Sequence, residues 1–196
     1  MRASPLALIL AAGAVMAAGC AVAQTAPPAP APAPAPAPKA VVIASLKTAA
    51  GADAGTVTGY EGPMGMIFRV EGKGWPEGWH GVHLHAVGSC EAPAFTSAGA
   101  HVNHAEGPRP HGLLNKDGGP DLGDLQNIHA AADGSANADV YLAWEGLDAH
   151  EEDYVDANGL SFVVHAKPDD YVSQPIGGAG ARIACGVFEP VAVSAN

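Results

Sequence analysis

Gly81-Val82-His83-Leu84-His85-Ala86-Val87 is the clearest strand-like stretch in this chain of 196 residues. Its apolar and polar side chains alternate with a period of two, which is the repeat of a β-strand. On a strand, His83 and His85 point to one face while Val82 and Leu84 point into the core. The stretch therefore predicts a rigid surface that presents two imidazoles, which is half of a copper or zinc site.

Similar short segments, with glycine and proline between them, make up most of the chain after residue 39. No stretch carries a sustained helical repeat. This pattern predicts an all-β fold of about eight strands, arranged as a sandwich or barrel. The segments lie at residues 41–46, 55–60, 64–70, 81–87, 139–144, 160–165 and 182–188, with a weaker one at 126–132.

Two long connections interrupt the regular spacing of the strands. Residues 89–123 and 166–181 are rich in glycine and proline and carry histidine, aspartate and arginine. Loops of this length in a compact domain are usually functional or disordered. Their histidines favour a functional role.

The first 39 residues are predicted to lie outside the folded domain. Residues 1–23 have a positive start, an apolar run and the small residues Ala21-Val22-Ala23, which is typical of a secretory signal and its cleavage site. An alternative stays open, because Ala17-Ala18-Gly19-Cys20 resembles a bacterial lipobox that would leave Cys20 lipidated and tethered to a membrane. Residues 24–39 form an Ala/Pro-rich linker that favours extended conformations. We expect a folded domain at residues 40–190 and a tail at 191–196.

Charge and cysteine content restrict the partners and the compartment. The formal net charge of −11 argues against nucleic acid as a partner. Of the three cysteines, Cys20 lies in the predicted export segment, which leaves Cys90 and Cys185 as one pair. In an oxidising compartment we expect these two to be bonded.

The order of several short motifs resembles the copper–zinc superoxide dismutase family, in particular its bacterial periplasmic branch. The resemblance covers about residues 40–190. It implies an eight-stranded Greek-key β-barrel, an immunoglobulin-like sandwich with two long functional loops. It also implies disproportionation of the superoxide anion to dioxygen and hydrogen peroxide at a redox-cycling copper. The enzyme would act in the periplasm and protect the cell envelope from superoxide. The motifs are His83-Leu84-His85, Ser97-Ala98-Gly99-Ala100-His101, His111-Gly112, Leu122-Gly123-Asp124-Leu125, Val163-Val164-His165 with Asp169-Asp170, and Gly180-Ala181-Arg182-Ile183-Ala184-Cys185-Gly186-Val187.

The family pattern also implies a role for each matching residue. His101 would bridge copper and zinc through its two ring nitrogens and take part in catalysis. Asp169 would hydrogen-bond one copper histidine and one zinc histidine. Arg182 would stand beside copper as a catalytic residue, and Cys90 and Cys185 match the family disulfide. The copper ligands would be His83, His85, His101 and His165, and the zinc ligands His101, His111 and Asp124.

The sequence departs from the family at one zinc position. The family places a histidine three residues before the zinc aspartate, and here that residue is Asp121. Asp121 can still supply a carboxylate oxygen as a fourth ligand, but aspartate is shorter than histidine. We therefore expect full copper with weak, substoichiometric or absent zinc.

The chemistry of the residues is consistent with this interpretation. Imidazole suits copper in both oxidation states, and the fork of donors of Arg182 can hold a small anion. Two alternatives remain: a copper-binding or copper-delivering module without turnover, and a zinc-only structural domain. A homodimer also stays open, with Trp75, Trp79 and Trp144 as candidate interface anchors. Four histidines match no ligand position: His80, His104, His129 and His150.

Overall fold

The computed structural model describes residues 37–103, 107–143 and 158–191. The predicted export signal, Cys20, nearly all of the linker and the tail, and His104, Trp144 and His150 lie outside these ranges. Within them, no helix is long and apolar enough to cross a membrane.

The described chain forms nine strands and one short 3-10 turn at Thr96–Ala98, which confirms the all-β fold. Most strands fall where the alternating pattern predicts them. The stretch that opens at Gly81 gives a shorter strand than predicted, because Ala86 and Val87 hydrogen-bond to Ala100 and Ala98 in the following connection instead. The strands are β1 (Ala40–Thr48), β2 (Asp53–Gly62), β3 (Gly65–Gly72), β4 (Gly78–His80), β5 (Val82–His85), β6 (Ile128–Ala130), β7 (Ala136–Ala143), β8 (Ser161–His165) and β9 (Arg182–Pro190).

Seven strands form one antiparallel sheet in the order β5-β8-β9-β1-β2-β3-β7, and β4 pairs with β6. After β3 the chain crosses to β5, at the opposite edge of the sheet. It then returns to form β7 beside β3, and crosses once more to form β8 beside β5. Such crossings between hairpins are the Greek-key connection. The two long connections predicted to be functional follow β5 and β8, which are neighbours in the sheet.

The core lies where the inward faces of the strands meet. Phe188 of β9 contacts Phe68 of β3 and Phe162 of β8, with ring centroids 5.5 and 6.4 Å apart. Burial of one such ring contributes about 2–3 kcal/mol. Trp75 is also buried, and its indole Nε1–H donates to the carbonyl of Ala54 at 2.9 Å. Trp75 therefore packs in the core and is not an interface anchor, whereas Trp79 is 56% exposed.

A second, smaller cluster surrounds the disulfide. Cys90 and Cys185 are bonded, with their Cα atoms 5.6 Å apart and a sequence separation of 95. Phe95, Ala98 and Val163 pack beside the buried Cys185. The bond fastens the connection that follows β5 to strand β9. That connection carries several of the predicted site residues.

Candidate metal centre

Four buried histidines converge at the ends of neighbouring strands. His83 and His85 come from β5, and His165 ends β8, which pairs with β5. His101 comes from the connection after β5 and forms an isolated bridge with His85. One ligand nitrogen from each of the four lies within 4.8 Å of the other three. The structure thus brings together all four predicted copper ligands.

The second nitrogen of three of these rings is fixed by an acceptor. His85 Nδ1–H donates to the carbonyl of Gly99 at 2.9 Å, and His165 Nδ1–H donates to the carbonyl of Gly180 at 3.0 Å. His83 Nε2–H donates to Asp169 Oδ2 at 2.7 Å. These bonds set the tautomers and leave the opposite nitrogen of each ring with a free lone pair. The buried nitrogens without a hydrogen-bond partner among the described residues include His83 Nδ1, His85 Nε2, His101 Nε2 and His165 Nε2.

Burial also keeps these imidazoles neutral. Burial, together with the charge of His101, lowers the pKa of His85 to about 2. Burial and the nearby His83 lower the pKa of His165 to about 3. Burial lowers the pKa of His83 as well, against the opposing bond to Asp169. A neutral imidazole is the form that binds a metal.

A second group adjoins the first and shares His101. His111 Nδ1 and Asp124 Oδ1 face each other, and both lack hydrogen-bond geometry to any described residue. Asp121 Oδ2 lies 3.1 Å from His101 Nδ1. Burial lowers the pKa of His111, but Asp124 and Asp169 outweigh it and raise that pKa to about 10. His83 also lies near this group, but its Nε2 is bound to Asp169 and its free Nδ1 belongs to the four-histidine group.

Asp169 joins the two groups. One carboxylate oxygen accepts from His83 Nε2 at 2.7 Å, and the other lies 3.1 Å from His111 Nε2. The backbone of Asp169 is held in turn by Asn127, whose side-chain amide bonds both its N–H and its carbonyl at 2.8 Å. Asn127 was not predicted from the sequence, and its only signal there is its position before β6.

Arg182 stands at the start of β9, opposite His165 in the sheet. Its Nη1 donates to the carbonyl of Phe95 at 2.6 Å and its Nη2 to that of Gly99 at 2.7 Å. The Gly99 carbonyl therefore accepts from both Arg182 and His85. These carbonyls were also missed, because no side chain marks them. Burial lowers the pKa of Arg182, and the guanidinium still carries its charge at neutral pH.

Two further histidines lie outside both groups. His80 is buried, with its ring nitrogens 2.7 Å from the carbonyls of His165 and Pro76. His129 packs edge-on against Trp79 at the surface. Within the described ranges, neither joins the convergent histidines.

The donor sets fit the metals that the resemblance implies. Four imidazoles around one point suit copper, while imidazole and carboxylate donors suit zinc. Buried polar atoms normally have a hydrogen-bond partner. Among the described residues, the buried side-chain atoms that lack one all belong to the two groups. The residues present therefore fit a copper ion beside a zinc ion.

Comparison with known proteins gives the same result. Residues 54–188 match the sequence profile described as copper/zinc superoxide dismutase (SODC). The chain is 50% identical over 149 residues to the superoxide dismutase [Cu-Zn] of Caulobacter vibrioides, covering 74% of this chain and 84% of that protein. The Cu/Zn superoxide dismutase structure from Brucella abortus aligns with a TM-score of 0.58 and 30% identity, over 75% of this chain and 98% of that one. A SOD-like protein from Bacillus subtilis aligns with a TM-score of 0.65 and 28% identity, over 74% of this chain and 96% of that one. The chain belongs to the copper/zinc superoxide dismutase family.

Proposed function

We propose that the chain disproportionates superoxide at a copper ion held by His83, His85, His101 and His165. The observation that carries this proposal is the set of four buried imidazole nitrogens that lie close together and have no hydrogen-bond partner in the part of the chain that the structure describes. Copper bound there supplies the one-electron couple, by which one superoxide is oxidised to dioxygen and a second, with two protons, is reduced to hydrogen peroxide. His111 and Asp124 join His101 as zinc ligands.

Arg182 binds and orients the anion. Two of its nitrogens are anchored by the carbonyls of Phe95 and Gly99, so the guanidinium is held in one position beside His85 and His165. Its remaining N–H donors are available for a small anion. On a chain with a net charge of −11, a fixed local cation is needed to attract superoxide.

His101 handles the proton. Its Nδ1 faces Asp121 and its Nε2 faces the four-histidine group. His101 Nε2 can bind either copper or a proton, so it would take up a proton only when it is not bound to copper, and that proton would then lie next to the anion being reduced. Asp169 keeps the neighbouring rings of His83 and His111 in place while this happens.

The function is tested with purified, copper-loaded protein and stopped-flow measurement of superoxide decay. We expect a second-order rate constant that approaches about 10⁸–10⁹ M⁻¹s⁻¹, the diffusional ceiling. His165→Ala should lose copper and activity together. Full copper at these histidines with superoxide decay at the spontaneous rate would instead identify a copper-binding module without turnover.

We also propose that the enzyme works in the periplasm and protects the cell envelope from superoxide. The disulfide between Cys90 and Cys185 suits an oxidising compartment. Residues 1–23 read as an export signal, residues 24–39 as a spacer, residues 40–190 as the enzyme domain and residues 191–196 as a tail. The lipobox-like alternative gives the same enzyme with a lipid anchor at Cys20.

Self-association into a homodimer remains part of this proposal. Trp79 on β4 is 56% exposed and packs edge-on against His129 of β6. Exposed aromatic side chains are enriched at protein interfaces. Sedimentation of wild type beside Trp79→Ala tests it, and two monomeric proteins would rule this surface out.

A further inference from the structure

Asp121 and Asp124 use their carboxylate oxygens in the same way. Asp121 Oδ1 accepts the backbone N–H of Gly123 at 2.9 Å. Asp124 Oδ2 accepts the backbone N–H groups of Gly112 at 2.7 Å and Asp121 at 3.1 Å. In each case the other oxygen faces His101 and His111. The local backbone therefore orients both carboxylates toward one point.

Three of the four distances between the carboxylate oxygens and the imidazole nitrogens are close to those of a tetrahedral site. Zinc holds nitrogen and oxygen ligands at about 2.0–2.2 Å, so the corners of its tetrahedron lie about 3.3–3.6 Å apart. Asp121 Oδ2 lies 3.1 Å from His101 Nδ1 and 3.9 Å from His111 Nδ1. Asp124 Oδ1 lies 3.6 Å from His101 Nδ1 and in contact with His111 Nδ1. Asp121 thus lies near ligand spacing from both imidazoles, whereas Asp124 lies at ligand spacing from His101 and closer than that to His111.

Burial gives a second reason to expect a cation here. Asp121 is 5% exposed and Asp124 is 2% exposed. Buried carboxylates are stable only when they are paired, hydrogen-bonded or bound to a metal. His111 Nδ1 and Asp124 Oδ1 have no hydrogen-bond partner among the described residues. A dication at the centre would satisfy both atoms and balance the two carboxylates.

We propose that Asp121 is the fourth zinc ligand, so that two imidazoles and two carboxylates hold one zinc per chain. It differs from the expectation of substoichiometric zinc, which rested on the absent histidine and on the shorter side chain of aspartate. The inference rests on the proposed function only through His101, which serves both metals. Both carboxylates also line a surface pocket of about 190 Å³, together with Arg109 and Leu122.

The test compares zinc affinities by chelator competition in the copper-loaded protein. Asp121→Asn keeps the shape of the side chain but removes its charge, and we expect it to weaken zinc binding at least about 100-fold, beyond what loss of an outer-shell partner costs. Asp117→Asn is the matched control, because Asp117 is an exposed carboxylate in the same connection, and it should bind zinc like wild type. Cobalt(II) bound in place of zinc should show altered d–d absorption bands in Asp121→Asn.

Asp121→His gives an independent answer if Asp121→Asn folds poorly. Exchange of one ligand for another should leave zinc affinity within about tenfold of wild type, whereas addition of a missing ligand should raise it about 100-fold or more. A large rise in Asp121→His, or wild-type zinc affinity and cobalt bands in Asp121→Asn, would overturn the assignment. Superoxide decay with copper-loaded, zinc-free wild type tests the proposed function separately from this site.

Discussion

At the scale of single residues, Arg182 gives the sharpest test of anion attraction. We expect Arg182→Ala to lower the second-order rate at least about tenfold, since electrostatic steering raises association rates about 10- to 1000-fold. Copper content should stay unchanged, because the guanidinium donates to the backbone carbonyls of Phe95 and Gly99 and not to a copper ligand's side chain. Added salt should slow the wild type more than the variant.

Lys116→Ala is the control for Arg182→Ala. It removes the same charge from an exposed position in the connection after β5. Its rate should match that of the wild type. Equal losses in the two variants would mean that net charge matters and that the position of Arg182 does not.

The site histidines predict how the stability of chelator-treated, metal-free protein depends on pH. Burial lowers the pKa of His85 to about 2 and of His165 to about 3, from 6.5. Below pH 6.5 these two histidines bind protons in the unfolded chain but not in the folded chain, so the free energy of unfolding falls as pH falls. His111 has the opposite effect on stability, because its pKa is raised from 6.5 to about 10 despite its burial. The contribution of His111 to the free energy of unfolding is complete below pH 6.5 and is lost as pH rises toward 10.

Thermal unfolding between pH 4.5 and 9 should therefore show maximal stability of the metal-free protein near pH 6.5. His111→Asn should reduce the loss of stability on the alkaline side without abolishing it, because Asp121 and Asp124 outweigh burial and raise the pKa of His101 as well. Stability that rises steadily from pH 6.5 to 9 in the unsubstituted protein would contradict this account.

At the scale of elements, the disulfide joins the connection after β5 to β9 across 95 residues. On the chain-entropy estimate, such a loop contributes about 4–5 kcal/mol to the free energy of unfolding. Cys90→Ala should lose about that much in urea unfolding, and reduction of the wild type should reproduce the loss. A change below about 1 kcal/mol in both would show that packing around Phe95 and Val163 holds the connection without the bond.

The same elements show how far the sequence alone leads. Strand β5 could be predicted because its aliphatic and histidine side chains alternate, and β8 because most of its side chains are apolar, although every residue of both strands is buried. Strand β4 was missed, since three residues are too short to show a period, and it exists through its pairing with β6. The convergence of β5 and β8 is a property of sheet order, and only the family resemblance anticipated it.

The site divides in the same way. Side chains with distinctive chemistry, such as His101 and Arg182, could be named from their motifs. The carbonyls of Gly99 and Gly180 could not, because every residue carries one and only the folded backbone selects these two. The orientation of the Asp121 carboxylate depends on its hydrogen bond from the Gly123 N–H. Comparing Asp121 with the histidine of the family pattern does not show this bond.

At the scale of the whole molecule, export should change the N-terminus covalently, by cleavage of the signal or by lipidation. Mass spectrometry of protein from the producing cell should show a start at Gln24 if Ala21-Val22-Ala23 is cleaved. A diacylglyceryl mass on an N-terminal Cys20 would identify the lipoprotein form. An uncleaved Met1 with free thiols at Cys90 and Cys185 would contradict export altogether.

Strand β5 ends the seven-stranded sheet, and its outer edge is covered by the metal-binding connection. Leu84 N–H donates to the carbonyl of Gly123 at 2.9 Å, and the Leu84 carbonyl accepts from Val102 N–H at 3.0 Å. Val102 and Gly123 each adjoin a proposed zinc ligand. An uncovered edge strand offers its backbone to other chains and promotes aggregation.

Removal of the metals should loosen this cover and allow edge-to-edge association. Light scattering at equal protein concentration should detect larger particles in the metal-free protein than in the metal-loaded protein. Particles of equal size in both would mean that the connection covers the edge without help from the ions. In that case the supply of metal would determine activity alone. If the metal-free particles are larger, the supply of metal also determines how long the protein stays unaggregated in a crowded envelope.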